Sequence, residues 1–116
     1  MTDQLTPYIV PRDEAKVFYE GPEECREYFR NETMWFGSSL VNAGDTGAID
    51  PGHPGAWEIF YCVSGEGYID DGATEYFLRA GDVLAVPPPV PHRIHNRSAE
   101  PVLMVWAGAP GKVEES

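Results

Sequence analysis

The chain has 116 residues, enough for one domain around a single core and too few for two. A formal net charge of −11 repels nucleic-acid phosphates, and no stretch approaches the roughly 20 apolar residues of a membrane span. Glycine (12) and proline (11) are spread between short apolar runs rather than gathered in one tract, which predicts an ordered all-β domain with many turns.

In chain order, residues 1–7 read as a loose tail. They lack the basic-then-apolar pattern of a leader, so a cytoplasmic location is expected. Ile9-Val10 and Ala15–Tyr19 are candidate extended pieces. Gly21-Pro22 followed by Glu23 and Glu24 predicts a short helix over about 21–30, with proline at its first position and acids at its positive end. Cys25, Tyr28 and Phe29 would share its packing face. Met34–Val41 reads as a strand ended by the turn-rich 42–47 segment. Pro51–Gly55 forms a corner, and Trp57–Val63 is the clearest strand.

Asp70-Asp71-Gly72 marks a tight hairpin turn before Thr74–Leu78. Gly81-Asp82 then turns the chain into the apolar run Val83–Val86. Prolines at 87, 88, 89 and 91 interrupt pairing and stiffen the corner that leads into His92. The last strand is Val102–Ala107, and 108–116 reads as a frayed tail. One domain spanning 1–116, with its core at about 34–107, accounts for the whole chain. Cys25 and Cys62 form no CxxC pair and are expected to be reduced packing residues.

Strand parity isolates the chemically interesting side chains. Glu58, Phe60 and Cys62 share one face of Trp57–Val63, and Trp57, Ile59, Tyr61 and Val63 share the other. Both faces are largely apolar, so the carboxylate at 58 is anomalous: burial is costly unless it is paired or holds a metal. Phe60 and Cys62 share its face and are candidate pocket residues. His53 sits five residues before Glu58, an odd separation that a bend at Pro54-Gly55 must correct if both serve one site. His92, Ile94 and Asn96 share a face, which leaves His95 opposite, as a surface or dimer-contact residue. Asn96 is expected to tie down its turn. Trp35, Trp57, Trp106, Tyr61 and Met104 are expected in core or dimer packing.

These residues resemble the cupin superfamily. Gly81, Pro87, His92 and Asn96 fall at the spacing of the family's second motif, with Pro89 where a glycine is usual. Glu58 and Gly65 match the first motif, and His53 matches the second histidine of its His-x-His pair, whereas Pro51 occupies the position of the first. The resemblance implies a double-stranded β-helix, a jelly-roll barrel, with the short N-terminal helix packed on it. It also implies a divalent metal held by His53, Glu58 and His92, with Fe(II) favoured over Mn, Ni or Zn. Such a trio leaves about three positions open on a six-coordinate cation.

The implied function is a metal-dependent, dioxygenase-like oxidoreductase acting on a small organic molecule. Glu58 serves as a ligand, or as a catalytic base if the histidines alone hold the metal. An isomerase, lyase or cyclase is the alternative reaction class, and a non-catalytic ligand-binding module is the alternative role, supported by Pro51. The apolar Ile59, Tyr61 and Val63 face must be covered by the N-terminal segment, the other sheet or a second subunit, and a homodimer is expected.

Overall fold

The computed structural model describes residues 6–111. After a single 3-10 turn at Arg12–Glu14, nine strands follow: β1 Lys16–Glu20, β2 Glu23–Arg30, β3 Trp35–Val41, β4 Trp57–Ser64, β5 Glu66–Asp70, β6 Glu75–Arg79, β7 Val83–Val86, β8 Arg93–His95 and β9 Val102–Ala109. They form a six-stranded sheet in the order β1-β2-β3-β9-β4-β7 and a three-stranded sheet in the order β6-β5-β8. Every pairing is antiparallel. The two sheets face each other across the core, the double-sheet solution of a jelly roll.

The expected helix over 21–30 is instead strand β2. Gly21, at φ +62°, and Pro22 form the two-residue link of a hairpin, where a glycine at the first position suits the turn. The proline that looks like a helix start is therefore a turn residue. Glu23 and Cys25 point inward, and the strand is paired along both edges, with β1 on one side and β3 on the other. Two ladders of backbone hydrogen bonds outweigh a weak local preference. The pairing shifts register between Glu27 and Phe29, and Tyr28 packs on Phe36 and Phe29 on Tyr8, so neither joins Cys25 in the core.

Alternation is regular on the strands that build the interior. β4 buries Glu58, Phe60 and Cys62, while β9 buries Val102, Met104 and Trp106. Ile69, Leu78 and Ile94 close the core from the small sheet, and Val86 adds to it from β7. Cys25 and Cys62 are both free and buried. Two glycines make room for indoles. Gly37 pairs with Trp106 and Gly108 with Trp35, and each ring lies over the glycine opposite it, where a Cβ would sit 2.2 Å and 2.0 Å from ring atoms.

Asn96 is 1% exposed and acts as a knot. Its amide donates to the carbonyls of Val41 (2.9 Å) and Glu100 (2.7 Å), and its Oδ1 accepts from the Ser98 backbone and hydroxyl. His95 is buried rather than exposed, which corrects its assignment to the surface or a dimer contact. Its Nε2 bonds Asp70 Oδ2 and its Nδ1 lies 3.1 Å from Thr46 Oγ1. The bridge between Thr46 and His95 adds the 42–56 loop to the small sheet and covers this histidine.

The hydrogen bond from His95, with Arg93 and the Gly72 amide, holds the Asp70 carboxyl at about 2 against an ordinary 3.8, although burial pulls the other way. A depressed folded-state value adds stability that is complete above the unfolded value and disappears as pH falls through the folded one. Asp70→Asn is therefore expected to lower stability at neutral pH and to flatten its decline between about pH 4 and pH 2. Urea denaturation across that range reads this directly. An unchanged acid limb would contradict it.

Candidate metal centre

The site is assembled at one end of the barrel from a strand, a loop and a corner. Glu58 comes from the inward face of β4 and is 4% exposed. His92 ends the proline corner just before β8 and is equally buried. A bridge between Asp50 and His92, with reciprocal backbone hydrogen bonds of 2.8 and 2.9 Å, pins the 42–56 loop against it. Gly52, at φ +93°, then turns the loop so tightly that a Cβ would lie 2.4 Å from the Pro89 carbonyl oxygen. The Ala56 amide closes the turn onto the His53 carbonyl at 3.1 Å. His53 thus reaches the Glu58 side of the barrel from a loop, which resolves the odd spacing without a bulge in β4.

The structure brings His53, Glu58 and His92 together and adds Asp50, a residue not anticipated from the sequence. One donor atom from each of the four lies within 4.8 Å of the others. Glu58 Oε1 is 3.1 Å from His53 Nε2 and 3.2 Å from His92 Nε2. Asp50 Oδ2 is 3.7 Å from each of the same two nitrogens. Its other oxygen accepts from the Gly52 amide at 2.9 Å, which fixes the carboxylate's orientation. The signal for Asp50 was a carboxylate beside Pro51, where the first motif histidine is missing.

His92 carries the most informative contact. Its Nδ1 donates to the Val90 carbonyl at 2.9 Å, so Nε2 of the neutral ring presents a lone pair to the site. That buried Nε2 has no aligned hydrogen-bond partner among the described residues, since Glu58 lies close by but off the hydrogen-bonding direction. A buried nitrogen left unpaired is costly. Two imidazoles and two carboxylates gathered around it form a donor set that a divalent cation fits.

Electrostatics agree with the geometry. Burial pushes the Glu58 carboxyl up, but the hydrogen bond from His53 and the nearness of both His53 and His92 prevail and hold it below its ordinary value. The bond to Glu58 raises His53 against the effect of burial. Burial pulls His92 down, but Glu58, the Val90 carbonyl and Asp50 outweigh it and raise it. The cluster is therefore an ionised carboxylate between two imidazoles that protonate readily when no cation is bound.

A cavity of about 170 Å³ opens over these residues. Phe60 lines it and sets its ring edge-on to His92, with centroids 5.3 Å apart. Cys62, the other candidate from that face, lies outside the cavity. It is fully buried further along β4, with its thiol directed at the Ser64 and Gly65 carbonyls. Trp35 and Trp106 do line the cavity, which corrects their assignment to packing alone. Trp35 Nε1 donates to Glu58 Oε2 at 3.4 Å, and its ring stacks at a tilt on His53, 4.7 Å between centroids.

The family described as the cupin domain matches residues 39–108, more than half of the chain, including Asp50, His53, Glu58 and His92. The chain belongs to the cupin family. Solved structures agree on this cupin's fold. A Klebsiella pneumoniae protein with a double-stranded β-helix domain superposes with a TM-score of 0.78 at 22% identity, covering 94% of this chain and 95% of that one. A predicted oxalate decarboxylase from Thermotoga maritima gives 0.73 at 20% identity, with 87% and 97% covered. The cupin domain of an XRE family transcriptional regulator from Enterobacter cloacae gives 0.69 at 17% identity, with 76% and 96% covered. At these identities the likeness is one of fold. No curated protein matches the chain by sequence. Among the described residues no helix is long and apolar enough to cross a membrane.

Proposed function

We propose that this cupin is a divalent-metal-dependent enzyme acting on a small organic molecule that binds the metal through two oxygens. The observation that carries this reading is the buried, unpartnered Nε2 of His92, facing Glu58, His53 and Asp50. Asp50, Glu58, His53 and His92 would hold the cation, which supplies Lewis-acid polarisation of a bound oxygen. Asp50 adds a fourth donor to the three read from the sequence. About two positions of a six-coordinate cation then remain, enough for one chelating substrate.

The chain's own residues do the rest. Trp35 orients Glu58, and Phe60 presses on the His92 ring while narrowing the cavity. Glu58, held ionised, is a ligand in this reading rather than a proton carrier. The non-catalytic alternative rested on Pro51, and Asp50 supplies a donor beside that position. Fe(II), with Mn, Ni and Zn as alternatives, suits a mixed nitrogen and oxygen set.

The test is metal content after purification without a histidine tag and after reconstitution. About one equivalent is expected. Less than about a tenth, unchanged by reconstitution, would sink the enzymatic reading. Oxygen consumption by the Fe(II)-loaded protein with diketones and catechols then separates the dioxygenase-like reading from isomerase, lyase or cyclase chemistry.

The same chain is expected to pair with a second copy through the outer face of the large sheet. Ile59, Tyr61 and Val63 remain 41–43% exposed, and neither the N-terminal segment from residue 6 onward nor the small sheet covers them. They continue into Val83 on β7 and Val105 on β9 through the strand register. Exposed apolar patches of this kind mark association surfaces. Light scattering should return twice the chain mass, and Tyr61→Glu should halve it. A monomeric parent protein would refute the pairing.

A further inference from the structure

The metal centre occupies only part of the cavity. Another part is lined by Glu20, Glu23 and Cys25, whose donor atoms lie within 4.8 Å of one another. Glu20 and Glu23 face each other across the β1–β2 hairpin. Glu23 is 6% exposed, a burial that a barrel interior accepts only with compensation.

That compensation is directional. Trp106 Nε1 donates to Ser39 Oγ at 2.8 Å, so the single Ser39 hydroxyl proton is free to go to Glu23 Oε2, with which it makes a short contact. The Cys25 thiol approaches the same oxygen at 3.5 Å. Oε2 is thus occupied. Oε1 makes no hydrogen bond among the described residues and lies against Gly47, where a Cβ would come within 2.2 Å of it.

This arrangement does not suit a second cation. Burial first, and then the charge of Glu23, push the Cys25 thiol up, away from the thiolate that a soft metal needs. A carboxyl held through one oxygen and without a hydrogen bond at the other suits proton transfer. An independent observation ties this wall to a ligand, because the unpartnered His92 Nε2 lines the same cavity.

We propose that Glu23 is the proton-transfer residue of this cavity, taking a proton from, or returning it to, a small neutral keto- or hydroxy-compound held at the metal centre, with Glu20 exchanging that proton with solvent. The inference rests on the metal-centred reading above. In the step, a C–H bond beside the substrate carbonyl breaks. Its electron pair becomes the new C–C π bond as the carbonyl π pair moves onto oxygen, and the proton goes to the Glu23 carboxylate. Return of the proton to the same carbon completes the exchange. In a hydroxyketone it goes instead to the former carbonyl carbon, while the hydroxyl proton of the first carbon passes to the former carbonyl oxygen and that first carbon becomes the new carbonyl. Neither route needs an oxidant or reductant.

Charge in the cavity favours such a substrate over an anion. Glu20, Glu23, Glu27, Asp50 and Glu58 outnumber Arg30 and Arg93 on its lining. The groups facing Glu23 are Glu20 from β1, Cys25 on its own strand, Asp50 from the loop and His92 beside β8. Burial lifts the Glu23 carboxyl, with Ser39 and Cys25 partly restraining it. Burial and then the charges of Glu23, Asp50 and Glu58 raise Glu20 to about 7, near the pH at which a shuttling group works best.

The test has two arms. On metal-free protein, infrared difference spectra of parent against Glu23→Gln should show the C=O band of a protonated carboxylic acid that the variant lacks. On zinc-loaded protein in deuterated water, dihydroxyacetone should exchange its carbon-bound protons, and Glu23→Gln should slow this at least about 100-fold with zinc content unchanged. If Glu23→Gln fails to fold, Ser39→Ala serves instead. Losing a bond to the charged form should move the midpoint of the infrared band to higher pH. No carboxylic acid band, or zinc-loaded parent without exchange, or Glu23→Gln exchanging within about threefold of parent, overturns the proposal. Failure of zinc to bind overturns the metal-centred reading instead, and the infrared band then decides for or against Glu23 as the acid.

Discussion

His92→Ala should weaken divalent-metal binding at least about 100-fold, the upper end of what a lost outer-shell contact costs, because a direct donor is removed. The substitution takes away the buried Nε2 that has no other aligned partner and leaves Glu58 without one of its two imidazole neighbours. Asp50→Asn keeps the bond to the Gly52 amide while removing the charge that faces both histidines, so a smaller loss of about 10-fold or more is expected. Calorimetric titration with Zn(II) or Mn(II) measures both. Equal affinity in parent and His92→Ala would exclude this cluster as the metal centre. Since His53 and His92 are raised above their ordinary 6.5 in the metal-free protein, protons compete with the cation. Affinity should therefore be greatest above that raised range and fall as pH drops through it.

Gly108→Ala should destabilise the protein by about 1–3 kcal/mol or more, despite adding only one methyl group. The new Cβ would stand 2.0 Å from the Trp35 ring, which must move. Trp35 is 2% exposed, donates to Glu58 and leans on His53, so its displacement also reaches the metal centre. The expected result is a lower urea midpoint at unchanged slope, together with weaker metal binding. Gly37→Ala is the companion, because its Cβ would meet Trp106 at 2.2 Å and the Arg26 carbonyl at 2.4 Å. That variant should destabilise similarly and disturb Ser39 and Glu23 instead of Glu58. A stable Gly108→Ala protein with full metal affinity would show that Trp35 does not support the site.

Much of the barrel was legible because its signals are local. Trp57–Val63 alternates, Asp70-Asp71-Gly72 can make only a tight turn, and the prolines after Val86 stop pairing wherever the chain folds. Residues 21–30 failed for the opposite reason. Pro22, two acids and an i, i+3, i+4 apolar pattern satisfy a helix locally, and only pairing with both β1 and β3 turns the segment into a strand. His95 was misplaced because parity identifies the opposite face without saying what covers it, and the 42–56 loop covers it.

The sequence by itself determined a turn-rich all-β cupin and three candidate donors, His53, Glu58 and His92, because motif spacing and strand parity are properties of neighbours along the chain. Tertiary structure alone decided that Asp50 joins them, that Trp35 and Trp106 attend the cavity over two glycines, and that Glu23 is buried with one oxygen held and one unbonded. Each of those facts depends on residues far apart in sequence meeting across sheets. Such meetings follow from the pairing of β2, β3, β9 and β4 and from the loop bridged to His92, which no local pattern encodes.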